Sequence, residues 1–180
     1  NPPLVIDVRR KPAYRAAADM AAGALRRDPE ATLSWAETLP RAIESIQGQD
    51  CVDWELLIVD DGSTDGSGVG ARRYAEVDPR IQVFSGPHRG LVAALRYGCA
   101  RARGAHIARM DADDVALPDR VALQVSELQS RPDVVAIGGA VEFMDANGRG
   151  FARVAYPRDD DAARAALGRN SSPIVHPAAT

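Results

Sequence analysis

Two stretches of this sequence place carboxylates where an apolar strand should stop. The first is Leu56-Leu57-Ile58-Val59-Asp60-Asp61-Gly62-Ser63-Thr64-Asp65-Gly66-Ser67. One aspartate can end a strand, and Thr64 or Asp65 is expected to cap the next helix by accepting an amide of its first turn. Capping does not require Asp60 and Asp61 together. A carboxylate at a strand's carboxyl end can accept hydrogen bonds from a nucleobase imide or a ribose hydroxyl, both of which are donors. Asp60 and Asp61 are therefore candidate nucleoside contacts.

The second stretch is His106-Ile107-Ala108-Arg109-Met110-Asp111-Ala112-Asp113-Asp114-Val115. Asp111 and Asp113, one residue apart, suit a hard cation. Mg2+ or Mn2+ takes oxygen ligands, commonly one or two carboxylates, while phosphates and waters fill the other positions. A metal-bridged diphosphate is the natural partner. Three carboxylates in four positions at a strand end outweigh the alternative, a turn that merely faces water before Leu117-Pro118.

Competing motifs fail on a particular residue. Asp61-x-Ser63-x-Asp65-Gly66 begins like an EF-hand loop, but its twelfth position is Arg72 where a bidentate Glu is needed. Gly66-x-Gly68-x-x-Ala71 loosely matches a dinucleotide fingerprint, but the next strand ends in Ser85-Gly86-Pro87 with no acid for a ribose. Asp111-x-Asp113-x-Val115 fits the nucleophile loop of haloacid-dehalogenase-like phosphatases. Those enzymes need a downstream lysine, and Lys11 is the only lysine here. A nucleotidyltransferase should show a glycine-rich basic loop after its first strand, and Leu4–Lys11 contains no glycine.

The elements that would position these turns follow from the apolar pattern. Glu55–Asp60, Ile81–Ser85, His106–Asp111 and Val134–Phe143 read as strands. Between them lie helix-period stretches at Thr64–Val77, Gly90–Arg103 and Pro118–Gln129. Such alternation implies βαβ units: an α/β fold with an open, mostly parallel sheet flanked by helices and ligands at the strands' carboxyl ends. Upstream, Leu39–Gln47 reads as a helix with Ile43 and Ile46 inward, Ala13–Arg27 as an alanine- and arginine-rich helix, and Leu4–Val8 as a strand. The cluster Arg9, Arg10, Lys11, Arg15, Arg26 and Arg27 reads as a solvated face.

Composition narrows the class. The 180 residues are 46% hydrophobic and 26% charged with net charge -3, values of a globular chain with no electrostatic call for nucleic acid or an anionic membrane. Cys51 and Cys99 form no C-x-x-C pattern and read as small core residues in a reducing compartment. No apolar run approaches the roughly 20 residues of a membrane span, and Asn1–Arg10 lacks a signal-peptide core. A cytoplasmic location is the expectation.

Taken in order, Trp54–Ser67, then Arg89-Gly-Leu-Val-Ala-Ala-Leu-Arg-Tyr-Gly98, then Ala108-Arg-Met-Asp-Ala-Asp-Asp-Val-Ala-Leu-Pro-Asp-Arg120 resemble family-2 glycosyltransferases. The resemblance runs from about Leu39 to about Pro177. It implies a GT-A, Rossmann-like fold, a nucleotide-diphosphate sugar donor, expected to be a UDP-sugar, and metal-assisted inverting transfer to a hydroxyl of a sugar, lipid or protein acceptor. Asp61, with Asp60 beside it, corresponds to the base-and-ribose contact, and Asp111-Ala112-Asp113 to the D-x-D motif. Asp113 would hold the metal. Asp111 would lie near the ribose or the metal, and Asp114 either beside them or at the cap of the Pro118 helix. Arg89 and Arg120 could reach phosphate or sugar, but arginines at helix ends are more often structural.

The resemblance also marks departures. Family members take the general base from an acidic motif beyond the segment matched by Asn170–Pro177, and this chain stops at Thr180. His176 is a late titratable residue but reads as structural. Residues 1–38 form an atypical N-terminal segment, and 39–180 read as a nucleotide-sugar-binding domain incomplete at its C-terminal end. The alternative reading is an inactive or fragmentary nucleotide-binding domain.

Overall fold

The computed structural model describes residues 3–8, 35–51, 53–145, 149–154, 156–157, 159–169 and 179–180. The helix expected over Ala13–Arg27 and the segment 170–177, with His176, lie outside the described residues.

The elements run β1 (Pro3–Val8), α1 (Trp35–Gln47), β2 (Glu55–Asp60), α2 (Ser67–Val77), β3 (Ile81–Ser85), α3 (Leu91–Cys99), β4 (Ala108–Asp111), α4 (Arg120–Ser130), β5 (Val141–Met144), β6 (Gly150–Val154) and α5 (Asp160–Gly168). Strands β1 to β4 form one parallel sheet in the order β3-β2-β1-β4. The first three strands step outward in one direction, and β4 returns to the other side of β1. The sheet reverses between β1 and β4, where ligands bind in open α/β folds. In register, Val8 stands beside Asp60 and Asp7 beside Asp111.

Strand β2 is buried along its whole length, which is why it reads as a continuous apolar run. Its alternation sorts residues between two helical layers. Leu56 and Ile58 pack with Leu39, Ile43 and Ile46 of α1, Ala71 of α2, Met110 of β4 and Val121 of α4. Leu57 and Val59 face the opposite way, against Ala94 of α3.

Several expectations are corrected. The strand expected over Val134–Phe143 forms only at Val141–Met144, where it pairs antiparallel with the unforeseen β6. Val135 is 96% exposed, and the backbone of Ile137 exchanges both hydrogen bonds with Thr180 at 2.9 Å. Gly138 and Gly139 then offer no side chain to a pleated surface. Helix α1 begins at Trp35 and carries Pro40 inside it, four residues ahead of the start read from Leu39. Helix α5 was also not foreseen, although its cap is a familiar one: Asp159 accepts from the Ala162 amide at 2.8 Å. Cys51 packs half-buried against the core, but Cys99 is exposed and is not a core residue. No helix among the described residues is long and apolar enough to cross a membrane.

Candidate functional site

Asp60 and Asp61 are both 5% exposed, yet strand alternation turns them to opposite layers. Asp60 Oδ1 accepts from the Ser63 amide, three residues on, at 2.8 Å, which holds the turn after β2 closed. A Cβ built on Gly68 of α2 would lie 2.2 Å from Asp60 Oδ2. Asp61 faces α3. Its Oδ1 accepts from the Arg89 amide at 2.7 Å, its Oδ2 from the Gly90 amide at 2.8 Å, and Oδ2 lies 2.9 Å from His88 Nδ1. These contacts occupy three of the roughly four acceptor positions of a carboxylate. They fix loop 86–90 against the turn after β2. Gly62 allows that approach: its φ is 85°, and a Cβ there would lie 2.9 Å from the His88 nitrogen. The expected cap is refined, since Gly66 holds the N-cap position of α2 while Asp65 accepts from the Ser67 amide at 3.0 Å and its hydroxyl at 2.6 Å.

At the second turn, Asp111 ends β4 and Asp113 is half-buried, with the fully buried Ala112 between them. Arg109, two residues back along the strand, forms an ion pair with Asp111 through Nη2. Burial, and then the negative charges of Asp113 and Asp111, push the Asp114 carboxyl up to about 7, against the opposing pull of Arg109 and Arg120. Asp114 does not cap α4, whose N-cap is Asp119. Arg120 faces inward: Nη2 donates to the Arg109 carbonyl at 2.8 Å, Nε donates to Gln124 at 3.2 Å, and burial brings its guanidinium down to about 10. Arg89 contributes its backbone amide, and its side chain is exposed.

Two polar residues of α1 and its end hold this turn in place, and neither was singled out from the sequence. Gln49 is 6% exposed; Nε2 donates to the carbonyls of Ser45 at 3.0 Å and Leu117 at 2.7 Å, and Oε1 accepts from the Val121 amide at 3.0 Å. Ser45 Oγ accepts from the Ala116 amide at 3.0 Å. His88 and Arg109 were missed as well. Their partners are 27 residues and two residues away, and neither pairing makes a local motif.

No three His, Cys, Asp or Glu side chains gather into a metal cage among the described residues. Asp111 and Asp113 suit instead a cation whose other positions are filled by a ligand's oxygens and water, the habit of Mg2+ and Mn2+. The two acidic turns end strands separated by β1, so about 10 Å of sheet lies between them at ordinary strand spacing.

The pattern described as Glycosyl transferase family 2 matches residues 31–179. This chain belongs to that family. Relatives include EpsE of Bacillus subtilis (strain 168), 35% identical over 119 residues covering 65% of this chain and 43% of EpsE. The amylovoran biosynthesis glycosyltransferase AmsE of Erwinia amylovora is 36% identical over 114 residues, 63% of this chain and 43% of AmsE. The chain thus spans less than half the length of these relatives. Among solved structures, the mannosyltransferase PcManGT from Pyrobaculum calidifontis, in complex with GDP-Man and Mn2+, superposes with TM-score 0.58 at 23% identity over 76% of this chain and 34% of that one. TarS of S. aureus superposes with TM-score 0.52 at 14% identity over 72% of this chain and 20% of that one. The fold is of the GT-A type.

Proposed function

We propose that the chain carries the donor site of a glycosyltransferase that moves a sugar from a nucleotide-diphosphate sugar, expected to be a UDP-sugar, to an acceptor hydroxyl with inversion. The observation that supports this best is the pair of acidic turns at the carboxyl ends of β2 and β4, on either side of β1 at the point where strand order reverses. The nucleoside would lie at the Asp60–Asp61 turn and the diphosphate at Asp111–Asp113. Asp60 keeps more acceptor capacity than Asp61, whose oxygens already receive three donors. A Mg2+ or Mn2+ ion would be held by Asp113 with Asp111 beside it, supplying Lewis-acid stabilisation of the departing diphosphate. The neighbour bound to GDP-Man and Mn2+ supports a metal and a nucleotide-sugar donor, and makes GDP the base to test against UDP.

The test is calorimetric titration of UDP and of GDP into the chain, with Mn2+ and then with EDTA. Metal-dependent binding of either is expected, stronger for UDP. A folded chain that binds neither nucleotide in either buffer overturns the reading.

A further inference from the structure

Arg109 has a side chain only 9% exposed, and its one described partner is Asp111. Its Nε is fully buried and meets no acceptor. A guanidinium carries five N–H donors in a rigid fork, and a buried donor left without an acceptor is destabilising. A purely structural ion pair inside a protein is expected to satisfy its remaining donors. This one does not. The strand around it is fixed: the Arg109 amide donates to Ala179 O at 2.9 Å, and its carbonyl accepts from Arg120 at 2.8 Å. Only the side chain is left to change partner.

The local charges point the same way. The charges of Asp111, Asp113, Arg109 and Arg120 all bear on Asp114. Above pH 7, where Asp114 joins the others in its charged form, three negative charges against two positive ones leave the cluster at -1. A divalent cation brings it to +1, a surplus beside a guanidinium that has lost its carboxylate. Diphosphate oxygens are acceptors suited to the planar fork of arginine.

We propose that Arg109 is a diphosphate-binding residue of the donor site, held by Asp111 in the metal-free chain and released to the ligand when a divalent cation takes that carboxylate. This rests on the donor reading above and adds a device to it, because cation and anion then favour each other's binding through one side chain.

The test uses Mn2+ alone, inorganic pyrophosphate and UDP as calorimetric probes of the whole chain. Arg109→Met should bind Mn2+ several-fold more tightly than the parent, because no guanidinium competes for Asp111, and should bind UDP in saturating Mn2+ about tenfold more weakly. Asp111→Asn, nearly isosteric and safe if Arg109→Met fails to fold, should free the guanidinium and raise pyrophosphate affinity in EDTA several-fold. Unchanged pyrophosphate affinity in EDTA for Asp111→Asn overturns the proposal, as does unchanged Mn2+ affinity for a folded Arg109→Met. These readouts need no nucleotide, so they are distinguishable from a failure of the parent to bind UDP or GDP.

Discussion

Asp61, one residue past β2, reaches across 29 positions of chain to Gly90, whose amide donates to its Oδ2 at 2.8 Å just ahead of α3. The Arg89 amide meets the other oxygen at 2.7 Å. The carboxylate therefore ties the first acidic turn to the entry of the helix that packs on β1 and β2, and its charge serves the fold before it serves any ligand.

Asp61→Asn is accordingly expected to lower stability. One oxygen becomes an amide donor facing an N–H, so a charge-assisted bond is lost and a donor stranded, at a cost of about 1–3 kcal/mol. Asp60→Asn keeps Oδ1 for the Ser63 amide and should change stability by less than about 1 kcal/mol while weakening UDP binding. Urea unfolding and UDP titration of both variants check this. Equal stability loss in the two would remove the distinction between them.

Gly68 and Gly70 give opposite expectations for one substitution in one helix. Nothing lies within 4 Å of a Cβ at Gly70, so Gly70→Ala should stabilise α2 by about 0.5–1 kcal/mol. A Cβ at Gly68 would lie 2.2 Å from Asp60 Oδ2, so Gly68→Ala must move that carboxylate or the helix, and should destabilise by about 1–3 kcal/mol and weaken UDP binding. Thermal unfolding of the pair reads out the sign.

What could be read from the sequence divides along physical lines. Strands β2, β3 and β4 and helices α1 to α4 were legible because each buries a face against its neighbours, which leaves a period in the residues. The placement of Asp60, Asp61, Asp111 and Asp113 at strand ends was legible because acids directly after apolar runs are unusual. Strand β6 was not, since its exposed side chains leave no clean alternation: Phe151 is 65% exposed. Gln49, Ser45 and His88 were illegible for another reason. Each acts through hydrogen bonds to segments distant in sequence, and a polar residue reveals such partners only when the chain is folded.

Asp114 sets a pH dependence whose direction follows from its carboxyl being raised from 3.8 to about 7. The folded chain holds this proton more tightly than the unfolded chain, so stability falls as pH rises from about 4 to about 7 and then levels off. The slope from this group is at most about 1.4 kcal/mol per pH unit. Asp114→Asn should remove it, giving a variant more stable than the parent at pH 8 in EDTA and little changed at pH 4. Urea unfolding across that range measures the difference, and parallel curves for parent and variant would refute the assignment.

Gln49 is where loss of one side chain should loosen the second acidic turn without touching a carboxylate. It joins the end of α1 to Leu117 O and to the Val121 amide, and the Asp50 amide adds a bond to Pro118 O at 2.9 Å. Gln49→Ala leaves the Val121 donor without this acceptor, and Val121 is only 1% exposed, so water replaces the bond poorly. The expected cost is about 2–3 kcal/mol, with faster hydrogen exchange at the Val121 amide and weaker metal-dependent UDP binding. Gln49→Glu separates the two roles, because it keeps the acceptor for Val121 and removes the donor to Ser45 and Leu117. If the turn is positioned mainly through Val121, the Glu variant should retain more UDP affinity than the Ala variant; if mainly through Leu117, the two should be equally weak.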